Sequence, residues 1–384
     1  MVEPFRIHVP EAALEDLRTR LARTRLPDAL PDAGWTTGAD LGYMRSLIAY
    51  WLAGFDWRAQ EARLNAFTHV RVPVQGIRVH AIHERGRGPR PLPLVITHGW
   101  PGSFTEMLTL IPLLADPATH GADPADAFDV VVPSIPGFGF SDTPAEAGWS
   151  SARVGDLWAD LMTALGYYRF GAQGGDFGAG VATRLGLRHA ARLVGLHFNY
   201  VPGSYAPFLG DGATPPTDEE RAFLHAAQEW SASEGGYQHL QATKPQTPAF
   251  ALTDSPVGLA AWIVEKFHDW GDCRGDIETR FSKDDLLTNI AVYWFTGTIG
   301  SSMRLYYESR RAPFQFAAGD RVRVPCGFAR FPLEDPFPPR SWVERGYDVQ
   351  RWSELPSGGH FAAMEEPQML AADIRAFFRP LRGR

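Results

Sequence analysis

The sequence predicts an α/β protein, with a mostly parallel sheet flanked by helices and an all-helical segment inserted into it. The first observation is that short apolar segments alternate with amphipathic ones from Pro91 onward. Continuous apolar runs are typical of parallel strands that helices cover on both faces. The second is that this alternation stops at Pro202 and that strand character returns only at Arg321. The third is a glycine-rich turn at 174–178, between a predicted strand and a predicted helix.

The chain divides into four predicted regions. Residues 1–75 form an N-terminal helical meander, and residues 76–201 form the first part of the core. Residues 202–312 form a helical lid, which a linker rich in glycine and proline at 210–216 introduces. Residues 313–384 complete the core.

Apolar periodicity predicts the elements of the meander and the core. In the meander, helices are predicted at 10–21 and 41–52, and a hairpin at 68–72 and 77–83. The core strands are predicted at 92–97, 128–133, 167–170, 193–198 and 321–326. The core helices are predicted at 104–114, 150–165, 179–187 and 369–378.

Three helix starts are visible in the lid. Thr217 is followed three residues later by Glu220, the pattern of a capping box. Ser255 and Pro256 combine an N-cap residue with a proline at the first helical position. Ser282 starts a third helix, which is predicted to continue through residue 295.

The composition excludes several classes of protein. Of the 384 residues, 45% are hydrophobic and 21% charged, which is ordinary for a globular chain with a large core. Acidic residues exceed basic ones by 7 (44 − 37), so the overall charge does not indicate nucleic acid binding. Cys273 and Cys326 provide neither a disulfide framework nor metal-ligand spacing. We expect reduced thiols, a cytoplasmic location and no membrane anchor, because the N-terminus is not a signal peptide and no apolar run approaches about 18 residues.

The turn Gly174-Gly175-Asp176-Phe177-Gly178 is the first candidate for catalysis. A strand, a Gly-x-nucleophile-x-Gly turn and a helix together form a nucleophile elbow. The glycines are needed because the helix and the strand pass with no room for a Cβ. The central residue is Asp176, at the head of the helix, where the helix dipole favours an anion. Taken alone, Asp176 is equally well explained as an ordinary N-cap.

Three further segments carry polar residues near predicted strand ends, where function collects in a doubly wound sheet. His98-Gly99-Trp100-Pro101 follows the first buried strand, Glu334 follows the strand that ends at 326, and His360 lies in a late glycine-flanked loop. The order nucleophile, acid, histidine is that of α/β-hydrolases. Individually, packing also explains His98, a solvated turn explains Glu334, and helix capping explains His360.

Together with other stretches, these segments resemble the microsomal-type epoxide hydrolases over nearly the whole chain. The matching stretches are 16–28, 98–103, 174–178, 254–260, 281–287, 301–306 and 358–363. The resemblance implies an α/β-hydrolase fold with a helical lid and an N-terminal meander. The membrane anchor that precedes the meander in mammalian members is not expected here.

The resemblance also implies roles for single residues. Asp176 is the nucleophile, His360 the base and Glu334 the charge partner that orients His360. Tyr237 and Tyr306 are the acids that the lid supplies.

The residues around this set are also predicted. Phe177 stands where many members carry tryptophan, which we expect to alter the pocket wall more than the chemistry. The backbone N–H groups of Trp100 and Phe177 are the predicted oxyanion hole. His98 and Pro101 are predicted to line the substrate pocket. No cofactor and no metal are expected.

The implied reaction adds water to an epoxide and gives a vicinal diol through a covalent aspartyl ester. A buried carboxylate can attack an epoxide carbon and form an ester. A serine would form an ether instead, which histidine and water do not cleave. We expect a hydrophobic small-molecule epoxide as the partner, no nucleic acid, and a role in the detoxification of xenobiotics. A homodimer stays open.

Two alternatives differ in what they require of the sequence. A haloalkane dehalogenase shares the fold, the aspartate and the histidine, but it needs indole N–H donors for halide and no lid tyrosines. Here the residue after the nucleophile is Phe177. A relative of the α/β-hydrolases that binds a ligand without turnover tends to lose a member of the triad, and none is missing from this sequence.

Overall fold

Residues 1–383, which the computed structural model describes, contain nine β-strands in a single sheet. The strands are β1 (Glu3–Pro4), β2 (His69–Val74), β3 (Ile77–Glu84), β4 (Leu92–Thr97), β5 (Phe128–Pro133), β6 (Phe170–Gly174), β7 (Leu193–Phe198), β8 (Val322–Arg330) and β9 (Tyr347–Glu354). Their order across the sheet is β1-β2-β3-β5-β4-β6-β7-β8-β9. The pairs β5–β4, β4–β6, β6–β7, β7–β8 and β8–β9 are parallel, and the pairs β1–β2, β2–β3 and β3–β5 are antiparallel. The predicted mostly parallel sheet is therefore confirmed.

The helices form three groups. One group lies between β1 and β2, another covers the sheet, and a third forms the insertion between β7 and β8. The meander contains α1 (Glu11–Ala22), α2 (Leu41–Ala53) and α3 (Trp57–Leu64). The first part of the core contains α4 (Leu110–Ala115), α5 (Ser151–Ala164) and α6 (Asp176–Arg188). The lid contains α7 (Asp218–Ser233), α8 (Gly236–Thr243), α9 (Gln246–Asp254), α10 (Pro256–Trp270), α11 (Lys283–Thr296) and α12 (Ile299–Ser309). The second part of the core contains α13 (Arg340–Glu344), α14 (Ala362–Glu365) and α15 (Pro367–Phe378).

The division into four regions stays a prediction. The boundary between the meander and the first part of the core can be compared with the strand pairing. The division between residues 75 and 76 falls in the turn of the β2–β3 hairpin. As a result β2, although it lies in the predicted meander, is hydrogen-bonded into the sheet.

Alternation along the central strands buries apolar side chains on both faces of the sheet. In β4, Val95 packs into one apolar cluster, whereas Leu94 and Ile96 pack into the other. Successive side chains of a strand point to opposite faces, so helices must cover both. The same burial fixes the position of the strand ends.

The central strands end at one level. Thr97 of β4 pairs with Gly174 of β6, and Gly174 pairs in turn with Phe198 of β7. The residues that follow these strands therefore meet at one edge of the sheet, as expected for the site.

The strand that leads into the glycine-rich turn differs from the prediction. The sequence predicts it at 167–170, but β6 covers Phe170–Gly174. Tyr168 is 72% exposed and belongs to the turn before the strand. The following helix is predicted from residue 179 but begins at Asp176. Glycines have low propensity for both strands and helices, which hides both ends of this junction.

Other differences have separate causes. The strand predicted at 321–326 continues to Arg330 as β8, and β9 is not predicted because it is a half-buried edge strand without an apolar run. The helix predicted at 104–114 is split into a 3₁₀ turn (Phe104–Met107) and α4. The short helix α3 is also missing from the predicted elements.

The three predicted helix starts of the lid are confirmed. Thr217 and Glu220 form a reciprocal capping box at α7. Ser255 accepts the backbone N–H of Gly258 at α10, and Ser282 accepts that of Asp285 at α11. Within residues 1–383, no helix combines the length and apolar character that crossing a membrane requires.

Candidate active site

Asp176 is the first residue of α6 and lies where β6 turns into the helix. Its φ is +46°, in the left-handed region that residues other than glycine rarely adopt. Gly178 is required at this turn because a Cβ would lie 2.1 Å from the carbonyl oxygen of Thr97. The N-cap of α6 is Gly175, so the alternative explanation of Asp176 as an N-cap is not supported. Backbone strain at such a turn is typical of functional positions.

Backbone N–H groups hold the Asp176 carboxyl group. The N–H of Trp100 donates to Oδ1 of Asp176 at 2.9 Å. Burial raises the pKa of Asp176, while the charge of His360 and the N–H groups of Trp100 and Phe177 oppose this increase. Both N–H groups therefore stabilise negative charge on this carboxyl group, which is the function of an oxyanion hole.

His360 connects Asp176 with Glu334. Nδ1 of His360 lies 2.8 Å from Oε2 of Glu334, and Nε2 lies 3.8 Å from Oδ2 of Asp176. Because Nδ1 donates to the carboxylate of Glu334, Nε2 is the nitrogen that exchanges a proton on the side of Asp176. Burial lowers the pKa of His360, but the charge and hydrogen bond of Glu334, together with the charge of Asp176, outweigh it and raise the pKa to about 9.

Tyr237 of α8 and Tyr306 of α12 pack on the indole of Trp100. The Tyr237 ring stacks on it with centroids 5.4 Å apart, and the Tyr306 ring meets it edge-on at 5.6 Å. The Tyr306 hydroxyl is buried and has no hydrogen-bond partner among the described residues. Burial raises the pKa of both hydroxyls, and the nearby Asp176 carboxylate adds to the increase. Both phenols therefore keep their protons at neutral pH.

A pocket of about 860 Å³ lies between the lid and the edge of the sheet, and we call it the substrate pocket. Asp176, Glu334, Tyr237 and Tyr306 all line it, so the structure brings these predicted residues together. The other aromatic side chains of its wall are Phe177, Tyr200, Tyr205, Phe223, Trp230, Phe314 and Trp342. Its volume is within the usual range for small-molecule sites.

Neither His98 nor Pro101 is among the residues that line the substrate pocket. His98 is fully buried, its Nδ1 lies 2.9 Å from the Gly99 carbonyl oxygen, and its Nε2 accepts the N–H of Ile135. Burial lowers its pKa to about 4. The Pro101 carbonyl accepts the side-chain amide of Asn289. The geometry therefore supports a role in holding the loop after β4, and it gives no support to the predicted pocket role.

A second, small cavity of about 20 Å³ lies beside Asp176. His98, Glu106, Asp176 and His360 line it, with Ala363 and others. Sequence reasoning did not single out Glu106, although this residue lies three positions after the matched stretch 98–103.

Two other residues that sequence reasoning missed hold His360. The backbone N–H of His360 donates to the carbonyl of Trp270, whose ring lies 5.1 Å from the imidazole. Glu365 accepts the backbone N–H groups of Gly359 and Phe361 on either side of His360. Glu365 lies two residues after the matched stretch 358–363, and this nearness is the signal by which the sequence could have indicated it.

One group of carboxylates in the lid has ligand atoms close enough to share a cation. Glu234, Glu265 and Asp269 place one ligand atom each within 4.8 Å of the others. The Nζ of Lys266 lies 2.6 Å from Oε2 of Glu265, so the chain supplies its own cation to this group. The cluster therefore gives no support for a metal.

The arrangement as a whole suits a two-step displacement. A carboxylate held by two N–H groups is a nucleophile, and two protonated phenols in the same pocket are acids. A histidine bound to a second carboxylate is a base for the hydrolysis of the resulting ester.

Two family models match the chain. The model described as Epoxide hydrolase N terminus matches residues 2–107. The model described as alpha/beta hydrolase fold matches residues 93–237, which include the turn around Asp176. The predicted α/β-hydrolase fold is confirmed by the second match.

Relatives match over almost the whole chain. A protein of Stigmatella aurantiaca (strain DW4/3-1), whose name assigns it provisionally as an epoxide hydrolase, is 44% identical over 100% of this chain and 86% of its own length. Epoxide hydrolase 1 of Oryctolagus cuniculus is 39% identical over 98% of this chain and 88% of its own length.

Solved structures agree with this likeness. The juvenile hormone epoxide hydrolase of the silkworm Bombyx mori has a TM-score of 0.84 and 29% identity, with 100% of this chain and 94% of that chain covered. The Aspergillus niger epoxide hydrolase has a TM-score of 0.85 and 26% identity, with 99% and 97% covered. The resemblance inferred from the sequence is therefore confirmed.

Proposed function

This chain belongs to the epoxide hydrolase family, and we propose that the residues that carry out its reaction are Asp176, His360, Glu334, Tyr237 and Tyr306. An epoxide hydrolase adds water to an epoxide and releases a vicinal diol. The observation that carries the proposal is the position of Asp176. Its Oδ1 accepts the N–H of Trp100, and its Oδ2 lies 3.8 Å from Nε2 of His360.

In the first step, Oδ2 of Asp176 attacks one carbon of the epoxide. The bond from that carbon to the ring oxygen breaks, and the oxygen takes a proton from the hydroxyl of Tyr237 or Tyr306. The product is an ester between Asp176 and the substrate. The support for this step is that both phenols line the same pocket as Asp176 and are protonated there.

In the second step, His360 removes a proton from water, and the water oxygen attacks Cγ of Asp176. The negative charge that develops on Oδ1 is stabilised by the N–H groups of Trp100 and Phe177. The bond between Cγ and Oδ2 then breaks, and Oδ2 takes the second proton of the attacking water and leaves with the diol. Glu334 keeps the imidazole in the orientation and tautomer that this step requires.

The charge of Asp176 couples the two steps. It is one cause of the raised pKa of His360 and of the raised pKa of both phenols. When the ester forms, this charge disappears, so the pKa values of all these groups fall. His360 then gives its proton to the phenolate and becomes a neutral base. It regains a proton from water in the second step, which restores the resting state.

The direct test follows the oxygen atoms. Because the bond between Cγ and Oδ2 breaks, the oxygen of water stays in the carboxylate. We expect a single turnover in heavy-oxygen water to label the peptide that contains Asp176, and Asp176→Ala to abolish turnover. Label that appears only in the diol would contradict the ester mechanism.

We further propose a bulky hydrophobic epoxide as the substrate, because the pocket is large and rich in aromatic side chains. A role in detoxification and a cytoplasmic location belong to this proposal, and a homodimer stays a prediction. Turnover of styrene, terpene and long-chain epoxides ranks the substrate classes. Halide release from haloalkanes without epoxide opening would support the dehalogenase alternative, which the names of the relatives do not favour.

A further inference from the structure

We infer that the small cavity beside Asp176 is the binding site of the hydrolytic water and that the carboxyl group of Glu106 holds this water for attack. The inference rests on the proposed ester mechanism and adds to it the position of the second reactant. Glu106 lies in the 3₁₀ turn Phe104–Met107, which follows the loop of Trp100.

The cavity has the size and the neighbours that this water needs. Its volume is about 20 Å³. A cavity needs roughly 10–15 Å³ to hold one water molecule, so this one is large enough. Asp176, His360 and Glu106 line it together, so the attacked carboxyl, the base and a further polar group meet there. Of these two cavities, Glu106 lines the small one, whereas Tyr237 and Tyr306 line the substrate pocket. Asp176 lines both.

Glu106 is a buried polar group with unused hydrogen-bonding capacity. Glu106 is 9% exposed, and its Oε1 has no hydrogen-bond partner among the described residues. A buried carboxyl oxygen without a partner is unfavourable, so such a group is typically hydrogen-bonded to water or retained for function. Gly102 leaves room for this carboxyl group, because a Cβ there would lie 1.5 Å from Oε1.

The electrostatics of Glu106 agree with this position. Burial raises the pKa of Glu106 to about 8; the charge of Asp176 adds to the increase, while the charge of His360 and the N–H of Gly99 oppose it. Glu106 also adds to the forces that raise the pKa of His360. The three groups therefore influence one another's protonation across the cavity that they line together.

The hydrogen bonds of one water fit this set. A water that attacks Cγ of Asp176 must direct a lone pair at that carbon, so both of its O–H groups need acceptors. Nε2 of His360 accepts one, and a carboxyl oxygen of Glu106 accepts the other. As the new bond to Cγ forms, the first proton passes to His360. The second hydrogen moves to Oδ2 as the Cγ–Oδ2 bond breaks and the diol leaves.

Two matched substitutions separate an acceptor role from a charge role. Glu106→Gln keeps a carbonyl acceptor and removes the ability to ionise, and Glu106→Met keeps the length of the side chain but removes the acceptor. Ester formation and ester hydrolysis are measured separately, by stopped-flow tryptophan fluorescence and by intact mass. We expect Glu106→Met to slow hydrolysis about 10- to 100-fold and alkylation less than about 3-fold, so that the ester accumulates. Glu106→Gln should retain hydrolysis within about 3-fold.

A third variant tests the cavity without touching Glu106. Ala363 lines the cavity, and Ala363→Val adds two methyl groups where the space is sufficient for one water. We expect this variant also to slow hydrolysis and to spare alkylation. It keeps the test decisive if Glu106→Met does not fold.

Each other result overturns the inference. Equal loss of hydrolysis in Glu106→Gln and Glu106→Met assigns the effect to charge, and equal loss of alkylation and hydrolysis assigns it to structure. Unchanged hydrolysis in Glu106→Met or in Ala363→Val places the water elsewhere. A parent protein that forms no ester with any epoxide contradicts the proposed function itself, which distinguishes the two failures.

Discussion

At the scale of single residues, the hydrogen bond between His360 and Glu334 is the contact that orients the imidazole. The sequence offers two adjacent acidic residues, and the structure gives them different surroundings. Both line the substrate pocket, but it is Glu334 that accepts the Nδ1–H of His360, at 2.8 Å. A carboxylate that only faces the pocket has little influence on the tautomer of the imidazole.

We therefore expect Glu334→Gln to slow hydrolysis of the ester and to lower the pKa of His360 from about 9. Asp335→Asn, the matched control, should change neither. The pKa is measured from the imidazole resonances by NMR, and hydrolysis by single-turnover kinetics. A slower enzyme from Asp335→Asn than from Glu334→Gln would show that the acidic partner is displaced by one residue.

The same substitution has a pH-dependent effect on stability. The pKa of His360 in the folded protein lies above its ordinary value of about 6.5. The interaction therefore stabilises the fold fully below about pH 6.5, and this contribution is lost as the pH rises through about 9. The loss of thermal stability caused by Glu334→Gln should accordingly be larger at pH 6 than at pH 10.

At the scale of elements, two lid helices each contribute one phenol to the pocket. Tyr237 lies near the start of α8 and Tyr306 in the second half of α12, and their ring centroids are 5.8 Å apart. Tyr307 follows on α12 but does not line the pocket. The two helices thus place two phenols in the same pocket as the Asp176 carboxyl group.

Each single change, Tyr237→Phe or Tyr306→Phe, should slow alkylation moderately, because the other phenol still donates. The double change should slow it about 10²- to 10⁴-fold, the usual loss for a missing general acid. Tyr307→Phe is the matched control and should have no effect. Alkylation is followed by stopped-flow fluorescence. A double variant that opens epoxides at the parent rate excludes the phenols as acids.

The sequence was informative for elements with strong local signals and uninformative for the rest. The capped lid helices and the apolar central strands were predicted because their signals are local. The edge strand β9 was missed because its burial depends on β8 rather than on its own composition. The glycines around Asp176 revealed the turn but hid the ends of β6 and α6. Glu106 was missed because only the tertiary fold shows that its carboxyl group is buried beside His360.

At the scale of the whole molecule, one buried carboxylate ties the last helix to the sheet. Asp373 of α15 accepts hydrogen bonds from Arg351 and Ser353 of β9 and lies 3.0 Å from Nε2 of His197 in β7. Burial alone raises the pKa of Asp373, but His197, Arg351 and Ser353 outweigh it and hold the pKa well below its ordinary value. These contacts connect α15 and β9 with β7, which lies much earlier in the chain.

Asp373→Asn should destabilise the fold by about 1.5–3 kcal/mol at pH 7, since hydrogen bonds to a buried charge are lost. Because the folded pKa is lowered, the contribution is present above about pH 3.9 and is lost as the pH falls further. The difference in thermal midpoint between the two proteins should therefore shrink in acid. Asp211→Asn, at an exposed position of the linker, is the control and should have almost no effect. Equal midpoints for the parent and Asp373→Asn at pH 7 would contradict this role.

The hydrogen bond from Trp100 to Oδ1 of Asp176 distinguishes the two carboxylate oxygens, so that the proposed reaction exchanges one of them and retains the other. Under the proposed mechanism, Oδ1 remains in the protein, while the other oxygen departs and is replaced by one from water. If the carboxylate does not rotate between cycles, each diol carries the oxygen of the water consumed in the cycle before. The label taken from water in one turnover is thus held in the Asp176 carboxylate until the next turnover. After transfer from heavy-oxygen water to ordinary water, the first diol released by each enzyme molecule still contains heavy oxygen, and the second does not.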